Sequence, residues 1–377
     1  MPMVPVFKPL IGEAEIRAAT EALEMGWLGM GAFVGEFEDA LQCAIEAMDR
    51  HVVAVSTGHA ALHLGLLLAG VTAGDEVITP AFNNVADFQA ILATGASPAF
   101  CDIDDSTLCI DLDKAEALVS KRTRAVIATD YGCLLCDHDG LRQFAERHGL
   151  RVVHDAAHSL GSRYQGRMVG SFSDICMFSF DPVKTITCID GGALVVRTED
   201  DQQRLQEMRL IGMGQSPAVM YQNKRAWAYD VRRLGFRYHL ANLHAAIGLA
   251  QLEALPVISS SRQETCRFYN DRLGAIPGIR VPRSDFLDVT PFSYYVRVGE
   301  DRRQELQTFL AHRGVDTGIH WQPGHWFTLF EKCRRGDLSV TDRVGKEIMT
   351  LPLHSMMDDE DRQRVVTSVM EFFEKQS

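Results

Sequence analysis

Between residues 50 and 200 the chain alternates short apolar runs with longer stretches of helical period. "HVVAV" (51–55) reads as a strand. "GHAALHLGLLLAG" (58–70) reads as a helix that is apolar around most of its circumference. The rhythm then repeats. "DEVITP" (75–80), "SPAFCDI" (97–103), "TRAVIATDY" (123–131), "RVVHDA" (151–156) and "DICMFSF" (174–180) predict strands. "NVADFQAILATG" (84–95), "LDKAEALVS" (112–120) and "DGLRQFAERHGL" (139–150) predict the helices between them, with Pro80, Gly95 and Gly149 as stops. Strand-then-helix alternation with nearly unbroken apolar strands predicts an α/β fold. Its central sheet is open and mostly parallel, with helices on both faces. Ligands in such sheets bind at the carboxyl ends of the strands.

Past residue 200 the texture changes. "RTEDDQQRLQEMRLIG" (197–212) reads as a surface helix, and a polar, aromatic and basic stretch follows at 215–233. "LANLHAAIGLAQLEAL" (240–255) predicts an apolar helix closed by Pro256. "RQETCRFYNDRLGAI" (262–276) and "DRRQELQTFLAHRG" (301–314) predict helices, and "SYYVRV" (293–298) a strand. The last predicted helix, 358–375, opens on acids and carries Lys375 near its end, as the helix dipole favours. A large domain over 1–249 and a smaller α+β domain over 250–377 are expected.

A length of 377 residues fits two or three domains, and the net charge of −12 disfavours non-specific nucleic-acid binding. A phosphate-bearing small molecule stays open, since a local site can oppose the global charge. The start "MPMVPVFKPLIGEAE" lacks an apolar core with a cleavage site, so no signal peptide is expected. "LGLLLAGV" is too short to span a bilayer, so no membrane role is expected. Nine cysteines, an odd number, fit reduced thiols and a cytoplasmic location. Cys133 and Cys136 form a CxxC without a second pair, which leaves zinc unsupported and a redox role open.

The strand ends carry the candidate chemistry. Ser56-Thr57-Gly58-His59 opens a helix, where free N–H groups and hydroxyls suit a phosphate as well as an ordinary cap. Asp155 ends an apolar strand, where a carboxylate needs a partner: an arginine, a helix end or a protonated pyridine nitrogen. Ser179 ends the next strand, and Lys184 follows it. Lys184 reads either as a solvated loop residue or as a partly buried nucleophilic amine. Together an anion cup, a carboxylate, a hydroxyl and a lysine form the set that a pyridoxal phosphate (PLP) site requires. "HWQPGH" (320–325) and His354 lack a carboxylate at ligand spacing, so no metal site is expected.

At this point the sequence resembles the DegT/DnrJ/EryC1/StrS group of sugar aminotransferases, over nearly its whole length. The likeness is carried by "GWLGMGAFVGEFEDAL", "VSTGHAALHLGL", "GDEVITPAFNNVA", the long run from His154 to Val195, "LGFRYHLANLHAAIGLAQLEAL", "IHWQP" and "LPLH". The resemblance implies the fold type I of PLP-dependent transferases and a PLP/PMP cofactor. It implies that Lys184 forms the Schiff base and moves the proton, that Asp155 pairs with the pyridine nitrogen, and that His158 lies near the ring hydroxyl. Thr57, Gly58, His59 and Ser179 would line the phosphate cup, and Asn84 would cover the ring. His320, Gln322 and Tyr295 are substrate candidates. His59 stands where Thr is usual, Asn84 where many members have an aromatic ring, and Arg237 where an Asn reaches the phosphate across a dimer.

The resemblance also implies the reaction: transfer of an amino group, from glutamate, to a keto group of a nucleotide-linked deoxy sugar. It implies a homodimer with shared sites. Members that use the cofactor for sugar dehydration replace the lysine with histidine, which Lys184 weighs against. A non-catalytic PLP-binding sensor is the other alternative. A DNA-binding version would need a basic module that this acidic chain does not display.

Overall fold

A computed structural model describes residues 2–214, 218–224 and 227–374. Lys375 lies outside them, as do residues 215–217, 225 and 226 of the aromatic-basic stretch.

Two helices come first, α1 (Glu13–Met25) and α2 (Ala32–Ala44). Then β1 (His51–Val55), α3 (Gly58–Leu68), β2 (Glu76–Pro80), α4 (Val85–Ala93), β3 (Ser97–Cys101), α5 (Leu112–Glu116), β4 (Thr123–Thr129), α6 (His138–His148) and β5 (Arg151–Asp155) alternate as the sequence predicts. A short hairpin, β6 (Arg163–Tyr164) and β7 (Arg167–Met168), leads into β8 (Ile175–Ser179) and β9 (Gly192–Val196). Three helices follow, α7 (Glu199–Arg209), α8 (Ala218–Tyr221) and α9 (Asn242–Leu273). The remainder is β10 (Tyr294–Arg297), α10 (Glu300–His312), β11 (Arg334–Arg335), α11 (Ser339–Glu347), β12 (Ile348–Leu351) and α12 (Asp359–Glu374).

The eight-stranded sheet has the order β1-β9-β8-β5-β4-β2-β3-β11. Every pairing from β8 to β11 is parallel, and β9 alone runs against its two neighbours. Two reversals restore the direction at β1. The carboxyl ends of β1, β2, β4, β5 and β8 therefore share one edge of the sheet. Period-2 alternation gives the sheet its two apolar faces. Val153, Ile175 and Leu194 pack with Leu64 of α3 on one side. Cys176, Phe178 and Val195 pack with Phe37 and Leu41 of α2 on the other, where Leu252 of α9 joins them.

Three features differ from the sequence reading. The predicted helices at 240–255 and 262–276 are one helix, α9, with Pro256 inside it. Proline removes one N–H bond and crowds the preceding turn. The helix persists because one stripe stays buried across the break: Leu252, Leu255, Ile258, Arg262, Cys266 and Tyr269. The expected division at 249/250 falls inside this helix. By length and composition α9 could cross a bilayer, yet it packs against α1, α2 and α12. Second, α5 is a little over one turn, shorter than the predicted 112–120. Third, β11 comes from the C-terminal region but extends the large sheet beside β3. The separate small sheet is β10 paired antiparallel with β12.

A buried ion pair locks the first helices to this frame. Arg209 is fully buried and reaches Glu38 Oε1 at 2.5 Å, the Ala54 carbonyl at 2.6 Å and Tyr221 Oη at 2.6 Å. Glu38 also accepts from the Ala54 N–H at 2.8 Å.

Candidate active site

The turn after β1 makes the first wall. Thr57 caps α3, and its hydroxyl accepts from the Ala60 N–H at 2.9 Å. The N–H groups of Gly58 and His59 are left without an acceptor inside the helix. Two glycines let other strand ends close in. A Cβ on Gly58 would stand 2.6 Å from Ser179 Oγ, at the end of β8. A Cβ on Gly192, which opens β9, would stand 2.4 Å from the Thr57 carbonyl oxygen and 2.9 Å from Gly58 N. The result is a small polar cradle of helix N–H groups and the Ser179 hydroxyl, with the geometry of an anion site.

Lys184 follows on a tight turn. Its N–H donates to the Asp181 carbonyl at 3.0 Å, and Val183 N–H donates to Asp181 Oδ1 at 3.0 Å. The Lys184 amine lies over the Phe292 ring, 4.3 Å from its centroid. Burial lowers the amine to about 8, against the pull of Asp155, Asp181 and Asp87. A substantial neutral fraction near neutral pH makes it both nucleophile and base.

Asp155 is the last residue of β5 and is buried, with Oδ1 accepting from the Ala157 N–H at 3.0 Å. Burial raises its carboxyl, and the Lys184 charge opposes that rise. The sequence reading missed its neighbour Asp87. This side chain, on the first turn of α4, is buried and accepts from Asn83 Nδ2 at 2.5 Å and Thr129 Oγ1 at 3.2 Å. Thr129 is the residue opposite Asp155 in the β4–β5 ladder. Burial and the Asp155 charge push Asp87 well above the ordinary carboxylate range. Two adjacent buried carboxyls do not both ionise readily. The stronger upward push falls on Asp87, and the Lys184 charge favours the ionised form of Asp155. An acid in the first turn of a helix reads as a dipole partner, so nothing in the sequence marked Asp87 out.

The imidazoles here are neutral. His158 stacks on Phe292 with centroids 4.3 Å apart and planes 9° apart, and its Nδ1 accepts from the Gly132 N–H at 3.3 Å. Burial, then the charges of Lys184 and His320, hold it well below its ordinary value. His320 Nδ1 lies 2.9 Å from Thr350 Oγ1, its carbonyl accepts from Tyr131 Oη, and burial pushes it down to about 4. Asn84 caps α4, with Oδ1 accepting from the Ala86 N–H at 2.9 Å.

The structure thus gathers Thr57, Gly58 and Ser179 into one cradle and sets Asp155, His158 and His320 around Lys184. The other candidates differ in setting. His59 and Gln322 are exposed. Tyr295 is buried in β10, 6.0 Å from the Tyr131 ring. Arg237 is exposed and lines a groove with Trp27, Tyr229 and His239. The CxxC thiols of Cys133 and Cys136 are buried; burial pushes Cys133 up, and a hydrogen bond with Cys109 and then burial push Cys136 up, which makes both poor nucleophiles.

A second cluster escaped the sequence reading because its members are far apart in the chain. Buried Asp130 bonds His154 Nε2 at 2.7 Å, His138 Nε2 at 3.0 Å, Ser159 Oγ at 2.7 Å and the Cys136 N–H at 2.9 Å. The two histidines hold it well below the usual carboxylate range. His154 directly precedes Asp155, and Ser159 directly follows His158.

Comparison with known proteins finds relatives over nearly the whole chain. The DegT/DnrJ/EryC1/StrS aminotransferase family matches residues 9–370. The chain is 34% identical over 384 residues to the spore coat polysaccharide biosynthesis protein SpsC of Bacillus subtilis, covering 97% of this chain and 96% of that protein. Its structure is similar to aminotransferase TlmJ of Streptoalloteichus hindustanus, with a TM-score of 0.91, 30% identity and coverage of 99% and 100% of the two chains. It is also similar to Spr1654 of Streptococcus pneumoniae in its PLP form, with a TM-score of 0.90, 25% identity and 99% of each chain covered.

Proposed function

The chain belongs to the DegT/DnrJ/EryC1/StrS aminotransferase family, PLP-dependent sugar aminotransferases by kind. From that premise we propose that it moves an amino group from glutamate to the keto group of a nucleotide-linked deoxy sugar. The observation that carries the catalytic part is the buried Lys184 amine, lowered to about 8 and facing the charge of Asp155, on the turn that follows the strand ending at Ser179.

The residues fit the cofactor. The cradle that a Cβ on Gly58 would fill has the hydroxyl and N–H groups that hold a phosphate. Asp155 is a buried acid that still needs a cationic partner. PLP supplies the aldehyde that takes up an amino group and the ring that holds electrons while a neighbouring carbon loses its proton. Every other task falls to the chain. Asp155 keeps a proton on the ring nitrogen by its charge. Asp87 would carry the one proton of the carboxyl pair, so that Asp155 stays ionised. Lys184 Nζ would take the proton from the substrate carbon that bears the amino group and pass it to the cofactor, and carry it back in the second half-reaction. Phe292 and neutral His158 wall off water on one side of the amine.

The dimer belongs to the same proposal. Trp227 and Leu234 are 87% and 78% exposed, near Arg237 in the chain. That exposed apolar pair supports the reading that a second copy covers this patch and that Arg237 serves its site. All nine cysteines are free thiols, which supports a reducing, cytoplasmic setting.

The test is a screen of keto-sugar nucleotides with glutamate, read by mass spectrometry. An aminated sugar with stoichiometric 2-oxoglutarate is expected, and Lys184→Ala should abolish it. Dehydration without amino transfer would favour the dehydratase reading. No turnover with any donor and acceptor pair would favour a sensor.

A further inference from the structure

A cavity of about 400 Å³ lies between α6, the β6–β7 hairpin and the loop before β8. Its size suits a small organic molecule. Part of its lining comes from the start of the strands: Val152, Asp174 before β8, Arg50 before β1, and Arg197 after the reversed β9. A five-residue strand separates that end from Asp155 by about 13 Å. The cradle described above contributes none of the lining.

Two features give the cavity a chemical preference. The first is uncommitted positive charge. Arg50 is buried, yet its Nε has no hydrogen-bond partner. Its Nη1 donates to the Ser173 carbonyl at 2.7 Å, and Nε itself lies 3.7 Å from the exposed Asp49 carboxylate, a long ion pair. Arg197 makes no hydrogen bond or ion pair among the described residues. Arg167 has only the Ser171 carbonyl at 3.4 Å and the Phe172 face at 5.3 Å. Burial lowers the Arg50 guanidinium, Asp49 and Asp174 oppose that, and the charges of Arg197 and Arg167 add to it. The acids of the lining are already engaged. Asp174 takes two bonds from Arg151, at 2.8 and 2.9 Å. Glu146 takes Arg142 at 3.1 Å, and Asp139 takes Gln165 at 3.0 Å. Arg167 and Arg197 have no acid against them, and Arg50 has only the long contact to Asp49, which leaves a local site of positive sign in a chain of net charge −12.

The second feature is an aromatic wall. Tyr164 and Phe172 lie 5.8 Å apart, and His138 meets them at 4.9 and 5.0 Å. Flat faces of this kind pack against a ring or an apolar body, while arginine forks take phosphate oxygens in pairs.

We propose that this cavity is a second small-molecule site, one that takes an organic phosphate. The phosphate sits among Arg50, Arg167 and Arg197, and the organic body lies against Tyr164 and Phe172. The site is separate from the sugar aminotransferase centre. One wall of it touches that centre's support: Ser173 Oγ is 2.7 Å from His154 Nδ1, and His154 leads through Asp130 to Ser159.

Titration calorimetry on the holoenzyme tests this, with UDP, glucose 1-phosphate and inorganic phosphate as probes. At least one ester is expected to bind more tightly than inorganic phosphate. Arg167→Ala/Arg197→Ala changes two exposed side chains, so the fold and the kcat and KM for amino transfer should hold. Ester affinity should fall by about tenfold or more in that variant. Three results overturn the proposal. No ester binds at millimolar concentration. An ester binds, but the double variant holds it equally well, which places it elsewhere. Inorganic phosphate binds as tightly as the esters, which removes the role of the aromatic wall.

Discussion

Replacing Lys184 by methionine should stabilise the cofactor-free protein at neutral pH, with a benefit that fades in alkali. Burial lowers the amine from 10.5 to about 8 in the folded chain. The unfolded chain keeps the ordinary value. Between the two values the unfolded chain holds a proton that the folded chain has released, so stability rises with pH across that window. Below pH 8 both states are charged, and the folded state bears the full cost of burying the charge. At 1.36 kcal/mol per pH unit, that cost is about 3 kcal/mol. Methionine keeps the length and the apolar stem. It forfeits the charge held 4.3 Å from the Phe292 centroid, worth about 0.5–2 kcal/mol. The net gain for Lys184→Met is then about 1–3 kcal/mol at pH 7, shrinking as pH approaches 10.5. Urea unfolding of wild-type and variant apoprotein at several pH values measures it, with exposed Lys121→Met as the control. A variant less stable than wild type at pH 7, or an advantage that does not shrink with pH, would refute the reasoning.

Three further outcomes follow from the geometry. Gly58→Ala places a methyl 2.6 Å from Ser179 and should cost about 1–3 kcal/mol of fit, weakening PLP by about 5- to 150-fold in a fluorescence titration; unchanged affinity would remove Gly58 from the cradle. Asp87→Asn keeps a neutral group where the proton sits, so amino transfer at pH 7 should drop only a few-fold, while Asp155→Asn should lose about 100-fold or more. Equal damage from the two would mean that the proton has been assigned to the wrong acid. Glu38→Gln leaves Arg209 buried beside a neutral amide and should cost about 3–5 kcal/mol in urea unfolding. Adding Arg209→Met should return part of that loss, and a double variant no better than Glu38→Gln would show that charge is not the issue.

Most of the frame was legible in the chain because period and punctuation are local. Each strand of the large sheet through β8 is an apolar run with a stop beside it, and the rule that ligands gather at strand ends led to Asp155, Ser179 and Lys184. What escaped depends on contacts across the chain. Pro256 reads as a stop, and only the buried stripe running from Leu252 to Tyr269 overrides it. Asp87 looks like an ordinary first-turn acid until β4 and β5 bring Thr129 and Asp155 beside it. Asp130, His138 and His154 meet only once α6 lies against the sheet. Arg237 was placed at the phosphate by resemblance, and one copy of the chain leaves it on the surface.

The unbroken run of α9 also sets the mechanics of the molecule. At 32 residues it is about 48 Å long, a single beam that packs against α1 and α2 at one end and α12 at the other. The large sheet and the C-terminal layer therefore have no flexible joint between them along this path. Any movement that narrows or widens the space over Lys184 by shifting the C-terminal layer has to bend the beam. Its compliant point is the turn at Pro256, where one rung of the hydrogen-bond ladder is missing.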